Sequence, residues 1–348
     1  MKAISVIPGD PDSLRLADFK EPRAEEGSVL VEALAVGLCA TDREVIDGGH
    51  GEAPEGHREL VLGHENLGRV REAPAESGLE PGDLVVGIVR SPDPEPCAAC
   101  AAGEFDMCLN GGYREHGIMA MDGFARQLWR AEPDELVRLD PELEPVGVLL
   151  EPATVIAKAW EQIEEIGRRA FFEPKVAAVT GAGPVGLLAA YFGIRRGLEV
   201  HVFDLEEGVK ADLVRDLGGI FHTETLPESG LEPDVLIECT GVPSVVLHAV
   251  SAAGRNSITC LAGVSDGGEE VPVDVGALNK EMVLGNAVVF GTVNANRRHY
   301  LQAVEAFTGG NTAWLRRLIT RTVPLSDWRK AFEPQEDDIK VVIDFSAG

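Results

Sequence analysis

Residues 1 to about 150 consist of short apolar runs separated by glycine, proline and acidic residues. Runs such as VLVEALAV, LVVGIV and LVRLD have the length of strands and are bounded by residues that favour turns. The N-terminal segment MKAISVIPGDPDSLRLADFK alternates apolar and polar positions like one opening strand, and PDPEP at 92–96 predicts a rigid local turn. This part of the chain is therefore predicted to be an irregular all-β unit with little helix.

The pattern changes near Glu151, where ATVIAKAWEQIEEI places apolar residues at the i, i+3 and i+4 spacing of a helix. Beyond it, helix-length segments separate five short apolar runs, at 176–180, 199–203, 234–240, 257–264 and 288–294. Unbroken apolar runs indicate strands buried on both faces, and alternation with helices indicates a parallel sheet. The remaining tail predicts amphipathic helices and a closing strand, so the expected fold class is α/β.

The composition narrows the range of partners. The 348 residues include 58 Asp and Glu against 31 Lys and Arg, which gives a net charge of −27. Such a surface repels phosphate and so excludes nucleic acid and anionic membranes as partners. Only 8 of the cations are lysine, as expected of a protein kept soluble in concentrated salt, where charges are screened; an acidic mesophilic protein is the alternative.

The sequence also indicates a compartment. The N-terminus lacks the apolar run of a signal peptide, and no apolar stretch approaches the ~20 residues that span a bilayer. Six cysteines in 348 residues are too few for a disulfide scaffold. We therefore expect a cytoplasmic protein that does not enter a membrane.

A glycine motif, GAGPVG at 181–186, directly follows the first apolar run of the α/β half and opens a predicted helix. In dinucleotide-binding folds the first glycine permits a tight turn, the second lets backbone approach the pyrophosphate, and the third allows close packing. Asp204 follows the next predicted strand, where a carboxylate binds the adenosine ribose hydroxyls. A glycine-rich turn that binds nothing is the alternative.

Two groups of residues have the chemistry of zinc ligands. Cys39, His64, Glu65 and Glu151 offer a thiolate, an imidazole and carboxylates, and three such ligands plus an open position describe a catalytic zinc site. Taken alone, Cys39 is also compatible with a buried core position, and His64 and Glu65 with a solvated turn.

The second group is Cys97-x2-Cys100-x7-Cys108, in a segment too rich in proline, glycine and acids for a core. A closed structural zinc site needs four ligands, and a fourth cysteine is absent. The candidates to replace it are Asp93, Glu95, Glu104 and Asp106. A loop that has lost its metal is the alternative. Cys239 and Cys260 fall in predicted strands and are expected to be inert core residues.

Taken together, these motifs resemble the zinc-dependent medium-chain dehydrogenase/reductase superfamily over nearly the whole chain. LGHENLG at 62–68 contains the GHExxG signature of that superfamily. GLCATDRE at 37–44, EHGI at 115–118, MDGF at 121–124 and GTVN at 291–294 are most similar to the archaeal glucose dehydrogenases. The resemblance implies a GroES-like catalytic domain at 1–153, completed by 295–348, a doubly wound Rossmann domain at 154–294, and a homodimer or homotetramer.

The resemblance also implies roles for individual residues. Cys39, His64, Glu65 and Glu151 match the catalytic zinc set, and the direct ligands are expected to change during the cycle. Glu115, Glu151 and Asn294 match positions that hold sugar hydroxyls, and Thr41 matches the hydroxyl that relays the substrate's proton. The predicted cofactor contacts are Gly181, Gly183, Pro184, Val185, Gly186, Asp204, Leu205, Thr240, Gly241, Gly263, Val264 and Asn294.

This sequence departs from the archaeal pattern at two places. The first ligand of the usual four-cysteine lobe is missing. The strand-end arginine pair that grips the 2′-phosphate of NADP is replaced by Asp204-Leu205-Glu206, which predicts NAD in preference to NADP. The leading hypothesis is an NAD-dependent aldose 1-dehydrogenase acting on glucose; a zinc-dependent polyol or secondary-alcohol dehydrogenase and a nucleotide-binding protein without catalysis are the alternatives.

Overall fold

The computed structural model describes residues 1–252, 254–265, 267–268 and 270–346. The chain divides into two compact units. Unit 1 comprises residues 1–151 together with the tail from 294 onward, and unit 2 comprises residues 152–293. Within the described ranges, no helix is both long and apolar enough to cross a membrane.

The bounds of the regular elements follow the chain. The strands are β1 (Lys2–Ile7), β2 (Asp10–Asp18), β3 (Val29–Leu38), β4 (Leu60–Val61), β5 (Glu65–Glu72), β6 (Leu84–Gly87), β7 (Arg90–Ser91), β8 (Arg114–His116), β9 (Ala120–Met121), β10 (Leu128–Ala131), β11 (Leu136–Leu139), β12 (Val176–Thr180), β13 (Glu199–Phe203), β14 (Ile220–His222), β15 (Val235–Glu238), β16 (Ile258–Leu261), β17 (Val288–Gly291), β18 (Ile319–Pro324) and β19 (Lys340–Asp344). The α-helices are α1 (Ala40–Asp47), α2 (Ala98–Ala101), α3 (Leu150–Gly167), α4 (Pro184–Arg195), α5 (Val209–Leu217), α6 (Leu226–Ser229), α7 (Pro243–Ser251), α8 (Val275–Gly285), α9 (Arg297–Phe307), α10 (Thr312–Arg316) and α11 (Arg329–Phe332).

Unit 1 is the irregular β unit that the apolar runs predict. Its main sheet has the order β11-β6-β5-β3-β19-β18, with β10 also paired to β3, and smaller sheets have the orders β2-β1-β4 and β7-β8-β9. The prediction of one opening strand is wrong. The N-terminal segment forms an antiparallel hairpin of β1 and β2, because Gly9 takes a left-handed φ of 81° and lets the chain reverse.

The register around β3 brings distant parts of the sequence to one end of the sheet. β3 pairs antiparallel with β5, with Gly37 opposite Glu65, and antiparallel with β19, with Leu38 opposite Val341. The C-terminal end of β3 therefore lies beside the N-terminal ends of both neighbours. Buried apolar side chains, among them Val31, Val36 and Trp129, fix this register, because a one-residue slip would turn them to the opposite face.

Unit 2 has a parallel sheet of order β14-β13-β12-β15-β16-β17 with its helices in the connections, which is the doubly wound arrangement of dinucleotide-binding folds. The predicted α/β class is confirmed. Strand β14 was not predicted because it has only three residues. Cys239 lies just beyond β15 and not inside a strand, whereas Cys260 is fully buried in β16. The tail also contains one strand, β18, that its sequence did not predict.

Candidate metal, sugar and nucleotide sites

The end of the main sheet described above assembles the first predicted metal group. The ligand atoms of Cys39, His64 and Glu65 all lie within 4.8 Å of one another, and the Cys39 sulfur is 2.9 Å from Nε2 of His64. His64 and Glu65 are 4% and 1% exposed. The alternative of a solvated turn is therefore excluded for these two residues.

Local hydrogen bonds hold Cys39 in place at the start of α1. Its sulfur accepts the backbone N–H of Thr41 at 3.2 Å, and its own N–H donates to Asp42 Oδ2 at 2.9 Å. The other oxygen of Asp42 lies 3.6 Å from Nδ1 of His64. Neither of these two buried atoms has a hydrogen-bond partner among the described residues. Asp42 thus faces the back of the imidazole and leaves Nε2 directed at the sulfur. Sequence reasoning missed this residue.

Charges around the imidazole shift several pKa values. Burial lowers the pKa of His64, but the sulfur of Cys39 and the carboxylate of Asp42 raise it by more, so the net shift is well upward. Burial also raises the pKa of Asp42, against the opposing effect of His64. Partial burial raises the pKa of Glu151 to about 7, and the nearby His64 opposes this rise.

Glu65 lies against a second residue that the sequence did not reveal. Lys340, the first residue of β19, donates from Nζ to Oε1 and Oε2 of Glu65 at 2.5 and 2.6 Å, and to the carbonyl of Leu38 at 3.1 Å. The Glu65 carboxylate lies against Gly37 of β3, where a Cβ would be 2.2 Å from Oε2. Position 37 therefore requires glycine to admit the Glu65 side chain.

The donor set fits zinc. A thiol, an imidazole and a carboxylate converge at a buried point, and the ring nitrogen away from that point faces a carboxylate, which is how metal-bound histidines are oriented. Thr41 follows two residues after Cys39, in the first turn of α1. Glu151 does not belong to the 4.8 Å group, although its pKa responds to His64 and Glu65.

The predicted sugar-binding residues Glu115 and Asn294 are also brought together. Asn294 Nδ2 donates to Glu115 Oε1 at 2.5 Å, and Arg90 donates to the same oxygen from Nε at 2.9 Å. Arg90 also stacks 3.6 Å above the centre of the Tyr113 ring and donates to the carbonyl of Asp106. In the described part of the chain, no donor is bonded to Glu115 Oε2, so one oxygen is fixed and the other remains an acceptor. Sequence reasoning missed Arg90.

The second predicted metal group also forms. The sulfurs of Cys97, Cys100 and Cys108 lie within 4.8 Å of one another. The sulfur of Cys97 accepts the N–H groups of Cys100 at 3.4 Å and Leu109 at 3.3 Å, and these donors lower its pKa to about 6. Three thiols, one of them stabilised as a thiolate, suit zinc.

The fourth ligand of the three-cysteine lobe is not identified. None of the four acidic candidates belongs to the 4.8 Å group among the described residues. Asp93 instead accepts Glu95 N–H and Asn110 Nδ2, each at 2.8 Å. Glu104 and Asp106 accept bonds from Asn296 at the start of α9.

The glycine motif in unit 2 has the geometry that a pyrophosphate needs. Gly181 has a φ of 89°, and a Cβ at Gly186 would lie 1.8 Å from the Gly181 carbonyl oxygen. Gly183 is the N-cap of α4, and a Cβ there would have no described atom within 4 Å. The turn therefore requires glycine at 181 and 186. Gly183 leaves open space at a helix N-terminus, where phosphate binds. Pro184 and Val185 form the first turn of α4.

Asp204 lies beside this motif. Its Oδ2 accepts the N–H of Ala182 at 2.7 Å and its Oδ1 accepts the N–H of Leu205 at 2.7 Å. Lys210 Nζ is 3.7 Å from the same Oδ2. The strand end therefore carries one cation that the sequence analysis did not weigh. Leu205 itself is exposed.

The remaining predicted cofactor contacts of unit 2 lie on the loops after β15 and β16. Glu238 is fully buried and accepts the N–H groups of Thr240 at 2.6 Å and Gly241 at 3.2 Å. A Cβ at Gly241 would lie 2.2 Å from the Val264 carbonyl oxygen, and one at Gly263 would lie 2.2 Å from the Gly241 nitrogen. The two loops are thus packed together. Asn294 belongs to unit 1.

Comparison with known proteins identifies the family. The family model described as Glucose dehydrogenase C-terminus matches residues 144–345, and the Alcohol dehydrogenase GroES-like domain matches residues 25–141. The glucose 1-dehydrogenase of Methanocella arvoryzae is 36% identical over the full length of both chains. That of Thermoproteus tenax is 37% identical over 99% of each.

A solved structure agrees with these relatives. Haloferax mediterranei glucose dehydrogenase, in complex with NADP, Zn and gluconolactone, superposes with a TM-score of 0.92 at 32% identity, and the match covers 99% of both chains. The resemblance inferred from the motifs is thereby confirmed. The chain belongs to the glucose dehydrogenase family of the zinc-dependent medium-chain dehydrogenase/reductase superfamily.

Proposed function

We propose that this protein is a zinc-dependent aldose 1-dehydrogenase that transfers hydride from C1 of a glucose-like sugar to NAD and forms the aldonolactone. The observation that carries the proposal is the convergence of Cys39 with the buried His64 and Glu65 in a chain that also has an intact dinucleotide motif. The relatives named glucose 1-dehydrogenase and the Haloferax complex with Zn and gluconolactone support it.

The oxidation removes a proton from the C1 hydroxyl and a hydride from C1. When bound, zinc supplies Lewis-acid polarisation of that hydroxyl, and nicotinamide supplies the hydride acceptor. Cys39, His64 and Glu65 would hold the metal, with Glu151 joining or replacing a ligand during the cycle. Thr41, in the turn that begins at Cys39, receives the hydroxyl proton and passes it outward.

Recognition of the sugar falls to Glu115, Asn294 and Glu151. Arg90 and Asn294 both donate to Oε1 of Glu115, so the carboxylate is fixed in orientation while Oε2 accepts a bond from a sugar hydroxyl. A bond between a hydroxyl and a charged group contributes about 1.5–3 kcal/mol. A pair of such contacts discriminates a polyhydroxylated substrate from a simple alcohol.

We further propose that NAD is preferred over NADP. The carboxylate of Asp204 would repel a 2′-phosphate, and neither Leu205 nor Glu206 offers the guanidinium group that binds phosphate bidentately. Lys210, at 3.7 Å from Asp204, offsets part of that repulsion. The preference is therefore expected to be moderate.

Reduction of NAD and NADP across glucose, galactose, xylose, sorbitol and a simple secondary alcohol tests the proposal. Turnover with an aldose and release of its lactone are expected. Turnover with sorbitol or the simple alcohol alone would establish the alternative zinc alcohol dehydrogenase, and nucleotide binding without turnover would establish a non-catalytic protein. Sedimentation of the same sample tests the homodimer or homotetramer that the family resemblance implies.

A further inference from the structure

Asn296, the N-cap residue of α9, forms side-chain hydrogen bonds in two directions. Its Oδ1 accepts the backbone N–H of Arg298, which caps the helix. Its Nδ2 donates to Asp106 Oδ1 at 2.9 Å and to Glu104 Oε2 at 3.2 Å. Both acids lie between the second and third cysteines of the three-cysteine lobe, and Asn296 itself is only 3% exposed. The donor half of this buried amide is therefore directed at the lobe.

Capping of α9 does not account for the amide at position 296. A cap needs only an acceptor, and aspartate or serine supplies one as well as asparagine does. Aspartate would also be favoured by the positive end of the helix dipole. The –NH₂ group matters because two carboxylates of the lobe face it. Asn296 thus joins the start of α9 to the lobe in addition to capping the helix.

The same segment of the lobe also holds the arginine that orients the predicted sugar carboxylate. Asp106 accepts Nη1 of Arg90 at 3.3 Å through its backbone carbonyl, while its carboxylate holds Asn296. Arg90 and Asn294 are the two donors to Oε1 of Glu115. Asp106 is therefore bonded to one of these donors directly, and to the other through a link of two residues.

The link between the two asparagines is short and fixed. Asn294 has a φ of 56°, in the left-handed region, and its Oδ1 accepts the N–H of Ala295 at 2.6 Å. Ala295 is 2% exposed. A residue other than glycine keeps such a φ only where its surroundings enforce it. Displacement of Asn296 would therefore move the amide of Asn294 that bonds to Glu115.

We propose that Asn296 is a positioning residue for sugar recognition, because it anchors the start of α9 to the lobe and thereby holds Asn294 against Glu115. The proposal rests on the contact between Glu115 and the sugar in the proposed function. All of the residues involved belong to unit 1. In this arrangement Glu104 and Asp106 serve as anchors for α9.

The test compares glucose recognition in the native chain, Asn296→Asp, Glu115→Gln and the double variant. Asn296→Asp keeps the size and the cap acceptor of the native side chain, removes the donor, and adds a charge that faces two acids. KM is measured by turnover with NAD, and the dissociation constant by calorimetry with NADH bound, which prevents turnover. Galactose and xylose are measured in parallel. Asn311→Asp, the same exchange at the exposed N-cap of α10, is the matched control.

Asn296→Asp is expected to raise the KM and the dissociation constant of glucose about tenfold. A displacement of 1 Å can cost about 100-fold, and here only one of the two donors to Glu115 loses its anchor. The kcat and the KM for NAD should stay within about threefold of native, and Asn311→Asp should be native throughout.

The Glu115→Gln background separates positioning from a general effect on the fold. Residues that act through one contact are not additive, so Asn296→Asp should change glucose binding there by less than about threefold. Native glucose binding in folded Asn296→Asp would overturn the proposal. An equal rise in the Glu115→Gln background, or a lower kcat with native glucose binding, would overturn it as well.

Asn296→Ser covers the case in which Asn296→Asp does not fold. The serine keeps an acceptor for the cap and loses the amide donor without adding charge, so the dissociation constant should rise in the same direction; a native value contradicts the proposal. Failure of the proposed function is distinguishable. A native protein that binds an aldose without reducing NAD contradicts that function alone, whereas one that binds none of the three aldoses contradicts both.

Discussion

Unit 1 contains two cysteine groups that differ in construction. The Cys39 group mixes a thiol, an imidazole and a carboxylate at the end of the main sheet, and buried charges of both signs surround it. The lobe of Cys97, Cys100 and Cys108 contains thiols alone, and backbone N–H groups bond to the sulfur of Cys97. The first arrangement combines three different kinds of ligand, and the second combines three ligands of one kind.

This difference indicates different tasks. A site with different kinds of ligand and neighbouring charges can exchange one ligand for a substrate, whereas a site with sulfur ligands alone closes a loop and stabilises the fold. The contacts of the lobe agree with a structural task, because Asp106 binds Arg90 through its carbonyl and Asn296 through its carboxylate. The lobe is thereby joined to the arginine that orients Glu115.

The largest expected effect is loss of the mixed group. His64→Ala is expected to remove zinc from the Cys39 group and to lower kcat by at least about a thousandfold. Lewis-acid stabilisation is worth several kcal/mol, and each 1.4 kcal/mol is a factor of ten. NAD affinity should stay within about twofold, since the glycine motif belongs to unit 2. Metal analysis, turnover and NAD titration measure the three quantities. A zinc-free variant that keeps native turnover would remove the distinction between the two groups.

Glu115→Gln tests whether the carboxylate that Arg90 orients contacts the sugar. Loss of the charged acceptor is expected to raise the KM for the sugar about tenfold or more, with a smaller fall in kcat, since a bond to a charged group is worth about 1.5–3 kcal/mol. Glu144→Gln removes the same charge from an exposed ion pair with Arg69 and is the control. An unchanged KM in Glu115→Gln would show that the carboxylate does not contact the sugar.

Cys100→Ser is expected to affect stability alone. If the lobe holds zinc, the melting temperature should fall by roughly 5 °C or more while kcat of the folded enzyme stays native. A chelator should lower the melting temperature of the native protein by more than that of the variant, which keeps the Cys39 group and lacks a complete lobe. Cys260→Ser, at a buried cysteine in β16 of unit 2, controls for placing a hydroxyl in a core. An equal response of the native protein and the variant to the chelator would indicate an empty lobe.

A smaller effect is expected in the same unit at acid pH, where a buried histidine lowers the stability of the fold. Burial lowers the pKa of His116 to about 4, whereas an unfolded histidine titrates near 6.5. The unfolded state alone binds this proton between these values, so stability is full above about pH 6.5 and falls by about 3 kcal/mol as the pH drops to about 4.

His116→Asn tests this origin of the acid loss. In the native protein Nδ1 of His116 donates to the carbonyl of Asp122 at 2.7 Å, and the asparagine amide can replace that donor without titrating. Urea midpoints at pH 7 and pH 5 should lie closer together in the variant than in the native protein. His57→Asn, at an exposed position, should leave the native difference intact. Equal pH dependence in native and His116→Asn proteins would assign the acid loss elsewhere.

The smallest effects belong to unit 2 and should leave both cysteine groups untouched. Lys210→Ala is expected to increase the preference for NAD over NADP a few-fold, because exposed ion pairs contribute about 1 kcal/mol or less. Asp204→Gly combined with Leu205→Arg should reduce the preference. The ratio of kcat/KM for the two nucleotides is the measurement. A native ratio that favours NADP would contradict the interpretation of this strand end.

Local sequence patterns predicted most of the helices and strands and most candidate residues. The other site residues are recognised only from the pairing of strands that are distant in the sequence. The thiol, imidazole and glycine motifs are recognisable because their spacing is short. Lys340 is 275 residues from Glu65, and only the pairing of β3 with both β5 and β19 brings the two side chains together. Arg90 and Asp42 were missed for a related reason, since a single charged residue has no pattern until its partner is known. The short strand β14 has too few residues to show a period.

The central claim is that the Cys39 group is the catalytic metal site and the three-cysteine lobe is not. The most direct test adds zinc stepwise to the metal-free Cys100→Ser variant and follows sugar-dependent reduction of NAD. We predict that turnover rises with zinc and reaches the native kcat at one equivalent per chain. Native turnover in the metal-free variant, or no recovery although one equivalent of zinc is bound, would contradict the account.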